Sequence, residues 1–334
     1  MAPISQPVAE HELSESQMSE RSRILVVVNP VSGRGKRRET LASLIRRLRE
    51  AGCSVVVLET AKPGDARAAA AQSCRDGCDV LIVAGGDGTI NEAVRGLVDE
   101  SPPILIVPMG TENILAKYLG LPTDCAGLLE VLREGRSVQL DVATRNGDRF
   151  LLVAGVGFDA QVVREVSRVR KGHISYFSYL GPLWRTFWSY RHPRLRVDCD
   201  GEPIFDGEGL VLLGNVPRYA MGLRVLSRAV PDDGLIDACV FECPRRVSLL
   251  RHALNVLLRR HPGRPGVVYR QAKTVRVASD EQVPVEVDGE VGGWLPAEFT
   301  ITETRARFLV PAETPRSRNV KTPKPGAPAA SNSQ

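Results

Sequence analysis

Between Ile24 and Val107 the chain passes through four short apolar runs separated by helix-like segments, and this alternation limits the folds open to it. The runs are Ile24–Val28, Ser54–Leu58, Val80–Ala84 and Ile104–Val107. Between them, Arg37–Ala51 repeats Leu41, Leu44, Ile45 and Leu48 at helical spacing, Asp65–Cys74 is rich in alanine, and a helix is expected from Ile90 to about Val98. Further helices are expected near Asn113–Leu119 and Cys125–Arg133. Strands that are apolar at nearly every position need cover on both faces. Intervening helices supply that cover, so the spacing predicts a parallel sheet in an α/β domain.

After about Val138 the texture changes. Short segments dominate: Phe150–Val156, Leu195–Asp198, Leu210–Leu213, Ala238–Phe241, Val275–Ala278, Val283–Val287 and Phe299–Thr302. Asn146-Gly147, Asp200-Gly201, Asp233-Gly234 and Asp288-Gly289 separate them, and such pairs favour hairpin turns. This half reads as mostly antiparallel β, with a helix at Arg246–Arg259. A chain of 334 residues has room for two domains.

The turns after the four runs carry the chemistry, because ligands of open α/β sheets bind at the carboxyl ends of strands. After the third run comes Gly85-Gly86-Asp87-Gly88-Thr89, whose glycines let the backbone approach a bulky anion. Thr89 is suited to cap the next helix, with Glu92 completing a capping box. Exposed N–H groups at such a helix start favour phosphate. Asp87 places a carboxylate where it can hold Mg²⁺ or take a proton from a hydroxyl. The first run is followed by Asn29-Pro30-Val31-Ser32-Gly33-Arg34-Gly35-Lys36, the second by Thr60, and the fourth by Pro108-Met109-Gly110-Thr111-Glu112-Asn113. Four strand ends bearing small polar residues favour a nucleotide site. No G-x-x-x-x-G-K-[ST] occurs, and no G-x-G-x-x-G opens a helix after the first run, which disfavours P-loop and dinucleotide folds.

Composition narrows the function classes. No run of eighteen apolar residues occurs, so no membrane-spanning helix is expected. Met1–Arg21 is polar and lacks the apolar core of a secretory signal. Disorder is expected there and in the Pro/Ala/Ser-rich tail after Pro311. The net charge of +5 suits phosphate ligands or an anionic membrane surface and is too small to argue for nucleic acid. Seven scattered cysteines without a Cys-x-x-Cys pair suit a reducing, cytoplasmic compartment. No histidine stands in a zinc or Ser-His-Asp pattern.

Six motifs, in order, resemble the diacylglycerol kinase catalytic-domain superfamily, which includes bacterial lipid kinases and sphingosine kinases. They are Asn29-Pro-Val-Ser-Gly33, Gly85-Gly-Asp-Gly-Thr89, Gly110-Thr111-x-Asn113, Gly155-Val-Gly-Phe-Asp159, Pro231-Asp-Asp-Gly-Leu-Ile-Asp237 and Val287-Asp-Gly-Glu290. The resemblance covers roughly Arg23–Pro311. It implies Mg²⁺-dependent transfer of the γ-phosphate of ATP to the hydroxyl of a membrane lipid, such as a diacylglycerol or a sphingoid base. It also implies an ATP-binding α/β domain over 22–137, a β-sandwich-like lipid domain over 138–303 and a segment over 304–311 that returns to the first domain. Tails would occupy 1–21 and 312–334, and the active site would lie in the cleft between the domains.

Position by position, the resemblance assigns ATP binding to Asn29, Ser32, Gly33, Thr60, Gly85, Gly86, Asp87, Gly88, Thr89, Asn91, Glu92 and Thr111. Asp87 matches the family's essential loop acid and Glu290 its proposed general base; either is a candidate for the base here. Val230, Asp233 and Leu235 match positions that hold a structural Mg²⁺ in bacterial relatives, two of them through backbone carbonyls. Ile114 stands where members acting on diacylglycerol often carry Asp, which leaves the acceptor lipid open.

Gly172–Arg194 concentrates Tyr176, Phe177, Tyr179, Trp184, Phe187, Trp188 and Tyr190 among arginines. Gly181-Pro182 is expected to split this stretch, with Pro182 opening a second helix. Aromatics beside cations suit the headgroup boundary of a bilayer, so peripheral contact with an anionic inner membrane face is expected, against the alternative of a helix packed on the β domain. A homodimer is left open. Two other readings compete. NAD kinase shares the Gly-Gly-Asp-Gly-Thr loop, but Asn29–Gly33 and the Asp-Gly-Leu turn at 233–235 speak against it. Intact Asp87 and Glu290 speak against a non-catalytic lipid- or nucleotide-binding regulator.

Overall fold

The four apolar runs pair as parallel strands β1 (Arg23–Val28), β2 (Ser54–Glu59), β3 (Val80–Gly85) and β4 (Ile104–Pro108), in the spatial order β4-β3-β1-β2. The structure, a computed structural model, describes residues 22–98, 101–169, 177–219 and 222–313; the expected tail at 1–21, and all but the first two residues of the one expected at 312–334, lie outside the described residues. Helix α1 (Lys36–Glu50) links β1 to β2, α2 (Asp65–Arg75) links β2 to β3, and α3 (Asp87–Arg95) follows β3. After β4 come α4 (Ile114–Tyr118) and α5 (Cys125–Glu134). β2 and β3 flank β1 on opposite sides, so the strand order reverses there and a crevice opens at the carboxyl ends of β1 and β3. Every residue of β3 and β4 is buried, as their unbroken apolar sequence demands. β2 departs from that pattern: it is the sheet edge, and Val56 and Val57 are exposed.

The second half comprises β5 (Arg136–Arg145), β6 (Asp148–Phe150), β7 (Val153–Val156), α6 (Phe158–Val169), α7 (Phe177–Ser189), β8 (Arg194–Cys199), β9 (Glu202–Gly214) and β10 (Ile236–Glu242). Then follow α8 (Arg246–Leu257), β11 (Val267–Ala272), β12 (Thr274–Ala278), β13 (Pro284–Val287), β14 (Glu290–Trp294) and β15 (Ala297–Val310). These strands pair antiparallel with one another. β9 serves two layers. Its first part pairs with β8, and its end pairs with β10 and β7, giving a sandwich-like arrangement. The core between the layers includes Phe150 and Phe299, edge to face at 6.2 Å, with Val211, Val240, Val275 and Val285. β15 runs out of this region, and Phe308 pairs in parallel with Ile104 of β4, so hydrogen bonding is continuous between the halves.

Four local expectations change. Phe150–Val156 is two strands, because the Asp288 carboxylate takes the N–H groups of Leu151 and Leu152, the two residues between β6 and β7. Pro182 does not open a helix but lies inside α7, where its missing N–H costs one bond, to the carbonyl of residue 178. Asp233-Gly234 is not a hairpin turn but part of the loop leading into β10. α3 stops at Arg95, with Gly96 as its C-cap. Among the described residues no helix is long and apolar enough to cross a membrane, and all seven cysteines are free.

Candidate active site

Two loops close on each other at the crevice. The Asn29 backbone N–H donates to the Ala84 carbonyl (3.0 Å), its Nδ2 donates to Thr89 Oγ1 (3.1 Å), and its Oδ1 accepts from the N–H of Val31 (3.1 Å). Asn29 thereby ties the end of β1 to the glycine loop after β3. The turn after β4 seats on the same loop: Met109 N–H donates to the Gly85 carbonyl at 2.9 Å. A Cβ on Gly110 would lie 2.6 Å from Gly86 Cα, so the two backbones touch only because both residues lack side chains. Gly33 packs beneath Met109, Ser32 is half-buried, and Thr60 N–H donates to the Val28 carbonyl (2.9 Å) at the end of β2. Thr111 is exposed on the turn that follows Gly110. The expected phosphate-loop residues thus converge on neighbouring strand ends.

The expected capping box does not form. α3 begins at Asp87 with Gly86 as its N-cap and no side-chain cap bond. Thr89 lies buried within the first turn, with its hydroxyl oxygen taken by Asn29. Glu92 points to a different helix. Its Oε1 accepts from the N–H groups of Gly64 (2.6 Å) and Ala66 (3.0 Å), which start α2 and have no other side-chain cap. Asn91 is buried, and its Oδ1 has no hydrogen-bond partner among the described residues.

Asp87 is turned into the protein. Oδ2 accepts from Ile114 N–H (3.0 Å) and Oδ1 from Leu115 N–H (3.2 Å), so the carboxylate caps α4. Asn113, at the N-cap position, cannot do this, because its side-chain amide is engaged with both backbone groups of Gly110 at 2.8 Å. Burial raises the Asp87 pKa, against the two N–H groups that lower it; nearby Glu112 adds to the rise.

Glu290 arrives from the other half of the chain. Asp288 and Gly289 turn the β13–β14 hairpin with φ of 50° and 80°, the pair that the two-residue turn favours. Glu290 follows directly, its side chain 54% exposed. Its Oε2 lies 3.7 Å from Arg95 Nη1, and its Oε1 faces Gly88, 3.9 Å from where a Cβ would stand. A carboxylate from the β-rich half therefore leans over the first turn of α3. Arg95, whose Nε donates to the Arg149 carbonyl (3.0 Å), is a site residue that sequence reasoning missed.

The hairpin is braced by buried acids. Besides its three backbone donors, Asp288 has its pKa pushed up to about 6, chiefly by burial. Glu286 Oε2 accepts from Gly289 N–H (2.9 Å), and its other oxygen faces Asp159, which accepts from the Tyr219 hydroxyl (2.6 Å). Gly155 makes room: a Cβ there would lie 2.4 Å from Asp159 Oδ2 and 2.9 Å from Glu286 Oε1. Burial, then the Asp159 carboxylate, pushes the Glu286 pKa well above its ordinary value of 4.5, so Glu286 keeps its proton to higher pH than it does in the unfolded chain. The sign of the pH effect follows. The unfolded chain releases this proton near pH 4.5 and the folded chain only at higher pH, so native stability falls as pH rises between the two values. Glu286→Gln still accepts from Gly289 N–H and does not titrate. The melting temperature of the variant is expected to gain on wild type as pH rises from about 5 to 8. A constant or shrinking difference would show that Glu286 does not hold the proton.

Val230, Asp233 and Leu235 lie in the loop before β10. Asp233 N–H donates to the Val230 carbonyl (3.4 Å), and Asp233 Oδ1 accepts from Leu235 N–H (3.0 Å). Asp141 of β5, fully buried, underpins this turn: its N–H donates to the Pro231 carbonyl (2.7 Å), its Oδ2 accepts from Gly234 N–H (2.6 Å), and Arg305 pairs with it at 2.9 Å. The Asp233 pKa is raised by burial and by the carboxylates of Asp141 and Asp232. All the donors are hard oxygens, which fits a divalent cation of the Mg²⁺ type. Among the described residues no group of three or more His, Cys, Asp or Glu side chains forms a metal centre, so an ion here would rest on backbone carbonyls with Asp233. The only sequence signal for Asp141 is an acid set inside the apolar run Leu140–Ala143.

Residues 23–145 match the family described as the diacylglycerol kinase catalytic domain, and residues 152–310 the YegS C-terminal NAD kinase beta sandwich-like domain. The chain is 31% identical over 297 residues to the diacylglycerol kinase of Staphylococcus carnosus (strain TM300), covering 88% of this chain and 96% of that protein. It is 32% identical over 295 residues to the diacylglycerol kinase of Staphylococcus saprophyticus subsp. saprophyticus, covering 87% and 96%. Two solved structures from Bacillus anthracis str. Sterne share the fold. One has a TM-score of 0.72 and 23% identity over 87% of this chain and 97% of that one. The other, described as a diacylglycerol kinase, has a TM-score of 0.64 and 22% identity over 86% and 97%. With the motifs, the parallel sheet and the sandwich-like half all in agreement, this chain belongs to the diacylglycerol kinase family of lipid kinases.

Proposed function

We propose that the chain transfers the γ-phosphate of ATP to the hydroxyl of a membrane lipid alcohol, with Glu290 as the general base and Asp87 as the organiser of the phosphate loop. One observation carries this reading: Glu290 is half-exposed over the first turn of α3, whereas both oxygens of Asp87 are held by backbone N–H groups. The glycine loop and the start of α3 supply backbone donors for the phosphates. Asn29 fixes that loop against β1. Glu290 accepts the hydroxyl proton as the lipid oxygen attacks, and Arg95 orients it. Mg²⁺ supplies charge neutralisation when bound, and Val230, Asp233 and Leu235 would hold a structural ion. The acceptor favoured by the relatives is diacylglycerol.

The acceptor must leave a bilayer, and α7 offers a place for it. Thr186 is buried while Trp184 and Trp188 are 65% and 52% exposed, so α7 packs by one side and presents indoles on the other. Tyr176 and the side chains through Leu180 lie outside the described residues. Incubation with γ-labelled ATP, Mg²⁺ and either a total lipid extract or NAD tests the reaction. Label is expected in a lipid phosphomonoester. Label in NADP, or in no product, would overturn the proposal.

A further inference from the structure

Helix α8 carries an apolar face that the fold does not use. Val247, Leu250, Leu254, Leu257 and Leu258, the last being its C-cap, are 71%, 55%, 56%, 66% and 51% exposed. At helical spacing these positions fall within an arc of roughly 100°. The opposite side fixes the helix: His252 and Val256 are buried, His252 Nε2 lies 2.9 Å from the Glu242 carbonyl oxygen, and its ring packs on Phe241 at 5.3 Å. Packing therefore accounts for the inner residues and leaves the outer leucines unexplained.

Charge indicates the occupant. From Arg245 to Arg264 the chain has six arginines (245, 246, 251, 259, 260 and 264) and no Asp or Glu. All six are exposed. Arg245 and Arg246 stand at the N-cap and first position of α8, where the helix dipole disfavours cations, so they do not serve helix stability. With Arg191 they line an open groove of about 440 Å³ that joins the end of α7 to the start of α8.

We propose that α8 docks on an anionic membrane surface, with its leucines at the boundary between headgroups and acyl chains and the flanking arginines on lipid phosphates. The inference rests on the lipid-kinase reading, because it places the enzyme on the bilayer that supplies its acceptor. A second copy of the chain would bring two arginine rims together and repel; an anionic bilayer removes that repulsion.

Co-sedimentation of the full chain with vesicles tests this, using phosphatidylcholine alone and phosphatidylcholine mixed with phosphatidylglycerol. The wild type is expected to bind the anionic vesicles at least tenfold more tightly. Two variants, Leu250→Ser/Leu254→Ser/Leu257→Ser and Arg245→Gln/Arg246→Gln/Arg259→Gln/Arg260→Gln, are each expected to lose at least tenfold of that binding. Both should keep phosphate transfer to a short-chain diacylglycerol in detergent micelles within threefold of wild type, since micellar substrate needs no docking. The inference is overturned if both variants bind as wild type does, if only Trp184→Ala/Trp188→Ala abolishes binding, or if sedimentation velocity shows a wild-type dimer that the leucine variant dissociates. Failure of the kinase reading would show differently, as absence of transfer in micelles by the wild type whatever the vesicles show.

Discussion

Glu290→Gln is expected to lower kcat by about a hundredfold to ten-thousandfold, the range that general-base catalysis contributes, or roughly 3–5 kcal/mol of barrier. The amide keeps the shape of the side chain and loses the ability to take the hydroxyl proton. ATP affinity should change little, because Glu290 approaches α3 from the opposite half of the chain and nothing in the glycine loop depends on it. Stability should also hold: the contact with Arg95 at 3.7 Å is partly solvated, and such pairs contribute about 0–1 kcal/mol. Steady-state ADP release with saturating lipid checks the rate, and equilibrium titration with ATP checks the binding.

Asp87→Asn is expected to fail in a different way. The carboxylate accepts from two backbone N–H groups at the start of α4, and an amide can accept from one while pointing its own N–H₂ at the other. Leaving one of these donors unpaired costs about 1–3 kcal/mol, which lowers the melting temperature by several degrees at roughly 2–4 °C per kcal/mol. The capped segment follows directly on the Gly110 turn, and Gly110 rests against Gly86. Loosening it should therefore raise the KM for ATP as well as reduce turnover. A variant with unchanged melting temperature and ATP KM but a large loss of kcat would make Asp87 the base and remove Glu290 from that role.

Much of this was legible in the sequence, for identifiable reasons. Buried parallel strands must be apolar at nearly every position, which is why β1, β3 and β4 show at once. The Asn146-Gly147, Asp200-Gly201 and Asp288-Gly289 turns announce themselves, because both residues need positive φ. What could not be read is partner choice over long sequence separations. Thr89 and Glu92 have capping-box spacing, yet Asn29 takes the one and the start of α2 takes the other. Nothing in the spacing pairs Arg95 with Glu290, or shows that Glu286, Asp159 and Tyr219 would meet behind the β13–β14 hairpin. Buried acids such as Asp141 carry no periodic signal, since their partners are backbone N–H groups supplied by a distant loop.

The most direct test is a crystal structure of the chain with a non-hydrolysable ATP analogue and Mg²⁺. The terminal phosphate should lie against Gly85–Thr89 at the start of α3, with the Glu290 carboxylate facing it across the crevice. A nucleotide bound away from the ends of β1 and β3, with that crevice closed by side chains, would contradict the account.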